Sequence, residues 1–419
     1  MIEKKIYKGA SYDMQTFDQY FLMNNQDVMN YVKKHVESFK DVNADAISCE
    51  EIGDGNLNYV YRVVNKDSND SVIVKQAGTT ARISDEFVLS TSRNKIETEA
   101  LQLQHELAPG LVPKILILDE TMSCCVMEDL SQLTIMRTAL NRFETFPKFA
   151  EHITDFLANT LVRTSDVVMN HKDKKALVQA YSNPELCEIS EDLVFTEPFH
   201  NQFNRNEITP GNEAFVQTLL YDQEELHVQV AKLKFKFMNH AQALIHGDLH
   251  TGSVFIDQND TKVIDPEFAF FGPMGYDIGN VMANLIFAWA RGHAYEKQEF
   301  TNWTEHTLVD VIELFSNKFC TTWDTYATEL TAKNQDFKLD YLNEVLQDTA
   351  GMAGLELARR IVGLAKVKDI TSIEPLEKRL QAERICLRVA TELIMNQAQF
   401  DTGEAYIVAL QNALQEEMK

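Results

Sequence analysis

From about Ala46 to Leu130 the pattern of apolar and polar positions reads mostly as strand. Tyr59 to Val64 and Ser71 to Lys75 are β-rich runs, and the polar cluster Asn65-Lys66-Asp67-Ser68-Asn69-Asp70 between them reads as a turn. Near Arg93 the period changes. Ile96, Ala100, Leu103 and Leu107 fall on one stripe of a helix that Pro109-Gly110 ends. Two further strands, Lys114 to Leu118 and Cys124 to Met127, flank the turn Asp119-Glu120-Thr121. Residues 26 to 38 read as helix, and beyond Leu130 the chain is largely helical, interrupted by a strand-and-loop segment from Ile245 to Phe271. The expected class is α+β: a small β-rich lobe over residues 1–130, then a larger, mainly helical lobe over 131–419. Glu128-Asp129-Leu130 would be the hinge, and a cleft between such lobes is where a ligand is expected.

Composition narrows the classes of function. The 419 residues are 45% hydrophobic, enough for a sizeable core. Lys+Arg 39 against Asp+Glu 63 gives a net charge of −24, a field that repels nucleic acid and anionic membrane. An anionic substrate such as ATP would need Mg²⁺ and a few locally placed cations. The six cysteines show no Cys-x-x-Cys spacing and read as free thiols of a reducing compartment. The N-terminus has no apolar leader run, and Val281 to Ala290 is too short to span a bilayer. A soluble, cytoplasmic protein is expected.

The chemistry concentrates in two places. In Ile245-His246-Gly247-Asp248-Leu249-His250-Thr251-Gly252-Ser253-Val254 an apolar lead-in delivers Asp248 to a polar loop; a short hairpin then delivers Asp265 and Glu267. Carboxylates at the ends of adjacent strands suit a hard cation such as Mg²⁺. One acid can serve a hydroxyl while the others hold metal on a phosphate, the division of labour that phosphoryl transfer needs. In the first lobe, Gly53, Gly55 and Val60 partly match a phosphate-covering loop, with Asn58 in place of its third glycine. Downstream, Ile73 and Lys75 share a strand face, placing an apolar side chain for a base beside a cation for phosphates. Glu97 and Glu99 are the candidate partners of Lys75, Glu97 the preferred one.

Together the Gly53-to-Val60 loop, Lys75, the Glu128 hinge, His246-Gly247-Asp248 and Asp265 resemble the protein-kinase-like, bilobal fold of aminoglycoside and choline kinases. Longer runs are more specific. His246 to Ser253, Asp265-Pro266-Glu267-Phe268-Ala269-Phe270-Phe271-Gly272-Pro273, Asp192 to Phe199 and Ala358 to Ala365 resemble the 5-methylthioribose kinases of methionine salvage. The resemblance implies that Asp248 is the catalytic base facing the hydroxyl of the substrate, 5-methylthioribose. Asp265-Pro266-Glu267 would hold Mg²⁺ and the ATP phosphates, with Asp265 and Glu267 as metal ligands; Ser253 stands where the usual asparagine ligand would be. Lys75 and Asn58 would contact phosphates, Glu128, Asp129 and Leu130 would offer backbone groups to adenine, and Arg359 and Arg360 would reach the substrate. Such kinases are usually homodimers.

Competing readings attach to several of these residues. Arg359 and Arg360 point about 100° apart on a helix, and one of them could simply pair with Glu356. His246 and His250 could ligate zinc, but no third nitrogen or sulfur ligand lies nearby; His246 is expected to brace its loop. Asp277 reads as a helix N-cap, or as an acid holding the catalytic loop's backbone. Trp289, Trp303 and Trp323 read as core or pocket wall. For the whole chain the rivals are a kinase of the same fold acting on an aminoglycoside, choline or homoserine, and a catalytically inactive nucleotide-binding scaffold.

Overall fold

The computed structural model describes residues 17–52, 58–78, 80–81, 84–88 and 93–417. The chain forms two compact units, one of Met1–Lys95 with Ile115–Asp129 and one of Ile96–Lys114 with Leu130–Lys419. Ile96–Lys114, read from the sequence as part of the first lobe, groups with the second unit.

The first unit is built on an antiparallel sheet of β1 (Ile47–Glu51), β2 (Asn58–Asn65), β3 (Ser71–Ala77), β6 (Ile115–Asp119) and β7 (Cys124–Glu128), in the order β1-β2-β3-β7-β6. Two short strands, β4 (Thr80–Ala81) and β5 (Ser84–Val88), pair with each other. The β2–β3 turn closes by Asn65 N–H donating to Asp70 O at 2.8 Å, with Asn69 in left-handed backbone. Register sorts the faces. Tyr61, Val63, Val72, Val74, Cys124 and Val126 enter one core cluster with Val28, Tyr31 and Val32 of the helix Asn25–His35. That helix starts on an Asn24 capping box and stops at Val36, whose backbone is extended; a separate short turn over Glu37–Phe39 follows, so the single helix expected to residue 38 is two pieces. The opposite sheet face carries Asn58, Val60, Ile73, Lys75, Cys125 and Met127, because residues directly opposite in an antiparallel pair share a face.

The second unit is mainly helical. The helix Gly275–Ala294 packs along the helix Gln335–Val362, which in turn packs on Leu376–Met395. Glycine makes the first contact close: a Cβ at Gly279 would lie 2.7 Å from the backbone N of Ala353. Two small sheets interrupt the helices. β9 (Ala243–Ile245) pairs with β12 (Phe270–Gly272), while β10 (Val254–Ile256) pairs with β11 (Thr261–Val263) and with β8 (Thr134–Ile135). From the helix Arg93–Leu107, Ile96 and Ala100 pack with Tyr181, Leu244, Ala269 and Phe271. Trp289 and Trp323 are buried, and among the described residues no helix is long and apolar enough to cross a membrane. All six cysteines are free.

Candidate active site

The loop after β9 is held by its own backbone. Gly247 has φ +83, and a Cβ there would lie 2.3 Å from Phe268 O, so only glycine fits. The buried Asp277 carboxylate accepts the N–H of His246 at 2.7 Å and of Gly247 at 3.0 Å. Asp277 is not a cap: the N-cap position of the helix Gly275–Ala294 is Met274, which makes no side-chain cap bond, and Asp277 lies in the first turn. Burial raises the Asp277 pKa against the pull of His246 and those two amides. His246 Nε2 donates to Ile264 O at 2.8 Å and Nδ1 accepts the Asp248 N–H at 3.3 Å. With both ring nitrogens committed, His246 braces the loop.

Asp248 is thereby aimed at two guanidiniums. Arg359 Nη2 donates to Asp248 Oδ1 at 3.1 Å, and Arg360 Nη2 reaches the same oxygen at 3.4 Å. Both arginines also bond Glu356: Arg360 Nε to Oε1 at 2.8 Å, and Arg359 Nε to Oε2. The arginines do not divide between Glu356 and the catalytic loop: each bonds both Glu356 and Asp248. His250 Nε2 lies 3.4 Å from Asp248 Oδ2, and its Nδ1 faces Ser253 Oγ at 3.2 Å.

Burial works against a charge on Asp248, but His250, Arg360 and Arg359 overcome it and hold the carboxyl far below the usual range. His250 is pushed down to about 3 by burial, with Arg137 and Arg360 adding to the effect. Its ring is therefore neutral at neutral pH, and the two arginines are what keep Asp248 ionised there. Burial likewise opposes the charge on Glu356, and Arg359 and Arg360 bring its carboxyl below the usual range.

A second group of acids forms in the same unit. One carboxylate oxygen each from Glu97, Asp265 and Glu267 lies within 4.8 Å of the others. Asp265 follows β11 in left-handed backbone at φ +68, and Asn183 Nδ2 donates to Glu267 O at 2.8 Å and to Ala269 O at 3.3 Å. Three hard oxygen donors without nitrogen or sulfur suit Mg²⁺. Of the three acids first grouped by sequence, Asp265 and Glu267 sit in this cluster, Asp248 sits with the arginines, and Glu97 joins as the third carboxylate.

In the first unit, Lys75 is buried on the same sheet face as Asn58 and the half-buried Ile73. Arg93 Nε donates to Asn58 Oδ1 at 3.2 Å. Glu128 ends β7 opposite Val72, and the Asp129 carboxylate accepts from Arg62 Nε and Ser71 Oγ, each at 2.6 Å. Pro266 lies between the two clustered acids, and Leu130 is buried in the second unit. The glycines of the 53–57 loop lie outside the described residues.

Sequence reasoning missed Asn183 and Arg137. Arg137 Nη2 donates to Asn284 Oδ1 at 2.9 Å, its Nε lies 3.4 Å from Asp369 Oδ2, and a Cβ on Gly252 of the loop would be 3.1 Å from its Nη1. No local pattern announces such partners. The Glu356 spacing, three and four residues before the arginines, was a readable signal for both of its bonds.

The phosphotransferase enzyme family is matched by residues 48–306. A methylthioribose kinase of Geobacillus sp. (strain WCH70) is 43% identical over 354 residues, covering 83% of this chain and 86% of that one. A methylthioribose kinase of Bacillus cereus (strain 03BB102) is 39% identical over 376 residues, 90% of this chain and 93% of that one. Among solved structures, a choline kinase from Cryptosporidium parvum Iowa II aligns with TM-score 0.45 at 12% identity, over 94% of this chain and 95% of that one. The chain belongs to the phosphotransferase enzyme family, and within it to the methylthioribose kinases.

Proposed function

We propose that the protein transfers the γ-phosphoryl group of ATP to the 1-hydroxyl of 5-methylthioribose, giving 5-methylthioribose 1-phosphate in methionine salvage. The observation that carries this is the Asp248 carboxyl group held by Arg359 and Arg360, in a chain 43% identical to a methylthioribose kinase. Asp248 would accept the hydroxyl's hydrogen bond, align its oxygen on the phosphorus, and take the proton late, as the new P–O bond forms and ADP leaves. So acidic a carboxylate is a weak base, which fits phosphoryl transfer: the transition state is loose and positioning supplies most of the catalysis. The two arginines would meet the sugar's oxygens. Two guanidiniums beside Asp248 also disfavour a cationic acceptor such as choline or an aminoglycoside.

Glu97, Asp265 and Glu267 offer an oxygen-only set for Mg²⁺, and Glu267 would stand in for the amide ligand that Ser253 does not provide. When bound, the metal neutralises charge on the transferring phosphates. Lys75 and Asn58 are the proposed phosphate contacts, with Ile73 as the apolar neighbour for a base; the backbone of Glu128, Asp129 and Leu130 would face adenine. Cytoplasmic location and a homodimeric state complete the reading.

The test is ADP release with Mg·ATP and 5-methylthioribose. Asp248→Asn should lower kcat by about 10²–10⁴-fold, the range for a lost acid–base group, with ATP affinity retained. Near-normal turnover by that variant would refute the role of Asp248. Thermal stabilisation by Mg·ATP without turnover on any acceptor would favour the scaffold.

A further inference from the structure

We infer that Glu356 is a positioning residue for the transfer: through Arg359 and Arg360 it sets the place and orientation of the Asp248 carboxylate. This rests on the reading of Asp248 as the group that faces the acceptor hydroxyl.

Glu356 is wholly buried, with 0% exposure. A buried carboxylate needs compensating charge, and Glu356 has two guanidiniums, one on each oxygen. It takes both Nε–H groups, and each arginine then turns an Nη2 toward the single oxygen Asp248 Oδ1. Two cations converging on one oxygen repel each other unless something fixes them from behind, and Glu356 lies behind both. The four charges, two negative and two positive, sum to zero, so the cluster tolerates burial as a unit. Arg360 is further tied by Nη1 to Ala365 O at 3.5 Å.

The arrangement also differentiates the two oxygens of Asp248. Oδ1 is occupied by the guanidiniums, and among the described residues Oδ2 has only the neutral His250 ring at 3.4 Å. Oδ2 is therefore the oxygen available to a hydroxyl, and Glu356 keeps it so by keeping both arginines on Oδ1. With glutamine at 356 one anion is gone. The guanidiniums then compete for the remaining carboxylate, and either can swing onto Oδ2. Small misplacements of a reacting group are enough to lower a rate about 10²-fold.

The experiment is steady-state kinetics of purified Glu356→Gln and Glu356→Asp with Mg·ATP and 5-methylthioribose, rates expressed per folded molecule. The expected result for Glu356→Gln is kcat down about 100-fold with the KM for ATP within about twofold of wild type. Glu356→Asp keeps the charge but draws it back, and should fall about 10-fold, between Gln and wild type. Glu383→Gln is the stability control. Glu383 is a comparably buried carboxylate that accepts from Thr209 Oγ1, Asn212 Nδ2 and Arg379 Nε, and it should keep the wild-type kcat. Wild-type kcat in Glu356→Gln, or a loss there only as large as that of Glu383→Gln, overturns the inference. If Glu356→Gln does not fold, unchanged kcat in Glu356→Asp overturns it alone. Absence of wild-type turnover on 5-methylthioribose would instead refute the underlying functional reading.

Discussion

At the scale of the residue, the pair His250–Asp248 makes a prediction in pH. His250 has its pKa pushed down to about 3 in the folded chain, against an ordinary value of 6.5. The unfolded chain therefore takes up a proton below pH 6.5 that the folded chain declines. This contribution to stability is complete above pH 6.5 and is lost progressively as pH falls toward 3, at no more than about 1.4 kcal/mol per pH unit. Urea unfolding at pH 7 and pH 5 should show a smaller loss for His250→Gln than for wild type. An equal loss in both would mean that His250 is protonated in the native state. The residue identities behind this were legible: Asp248, His250 and the arginine pair stand out by type and motif. Their division of labour was not. The place of His250 beside Asp248 depends on the turn at Thr251–Ser253, and the place of Glu97 among the acids depends on where a helix from far upstream packs.

Elements carry the next layer. Turn chemistry and periodicity made the strands readable, because Asn65 to Asp70 and Pro109-Gly110 punctuate runs whose apolar positions alternate or recur. The sheet faces then followed from register, with Tyr61, Val63 and Val74 in the core and Lys75 on the other side. Asp277 was ambiguous for a physical reason. An acid in the first turn of a helix suits the exposed amides of that terminus, yet here its carboxylate turns to the amides of His246 and Gly247. That role depends on the helix Gly275–Ala294 lying close on Gln335–Val362. Gly279→Ala tests the packing: its Cβ would meet Ala353 N at 2.7 Å and Thr349 O at 2.9 Å, both backbone atoms that cannot turn aside. The expected cost is about 1–3 kcal/mol, read as a lower denaturant midpoint at unchanged slope. An unaltered midpoint would show that the helices can separate freely.

For the whole molecule, composition sets expectations that only the assembled site makes specific. With a net charge of −24, an anionic substrate depends on locally placed cations, and the proposed ones are Lys75 on a sheet face and Arg359 and Arg360 around Asp248. Contacts such as Arg137 with Asp369, or Asn183 with the backbone of Glu267, join segments distant in sequence, and no local pattern specifies them. The substrate is likewise a property of the assembled site. The central claim is best tested by ADP release from the purified protein with Mg·ATP, comparing 5-methylthioribose with ribose, choline, homoserine and an aminoglycoside. The account predicts turnover that strongly prefers 5-methylthioribose. Equal or faster turnover on another of these acceptors, or none on 5-methylthioribose, would contradict it.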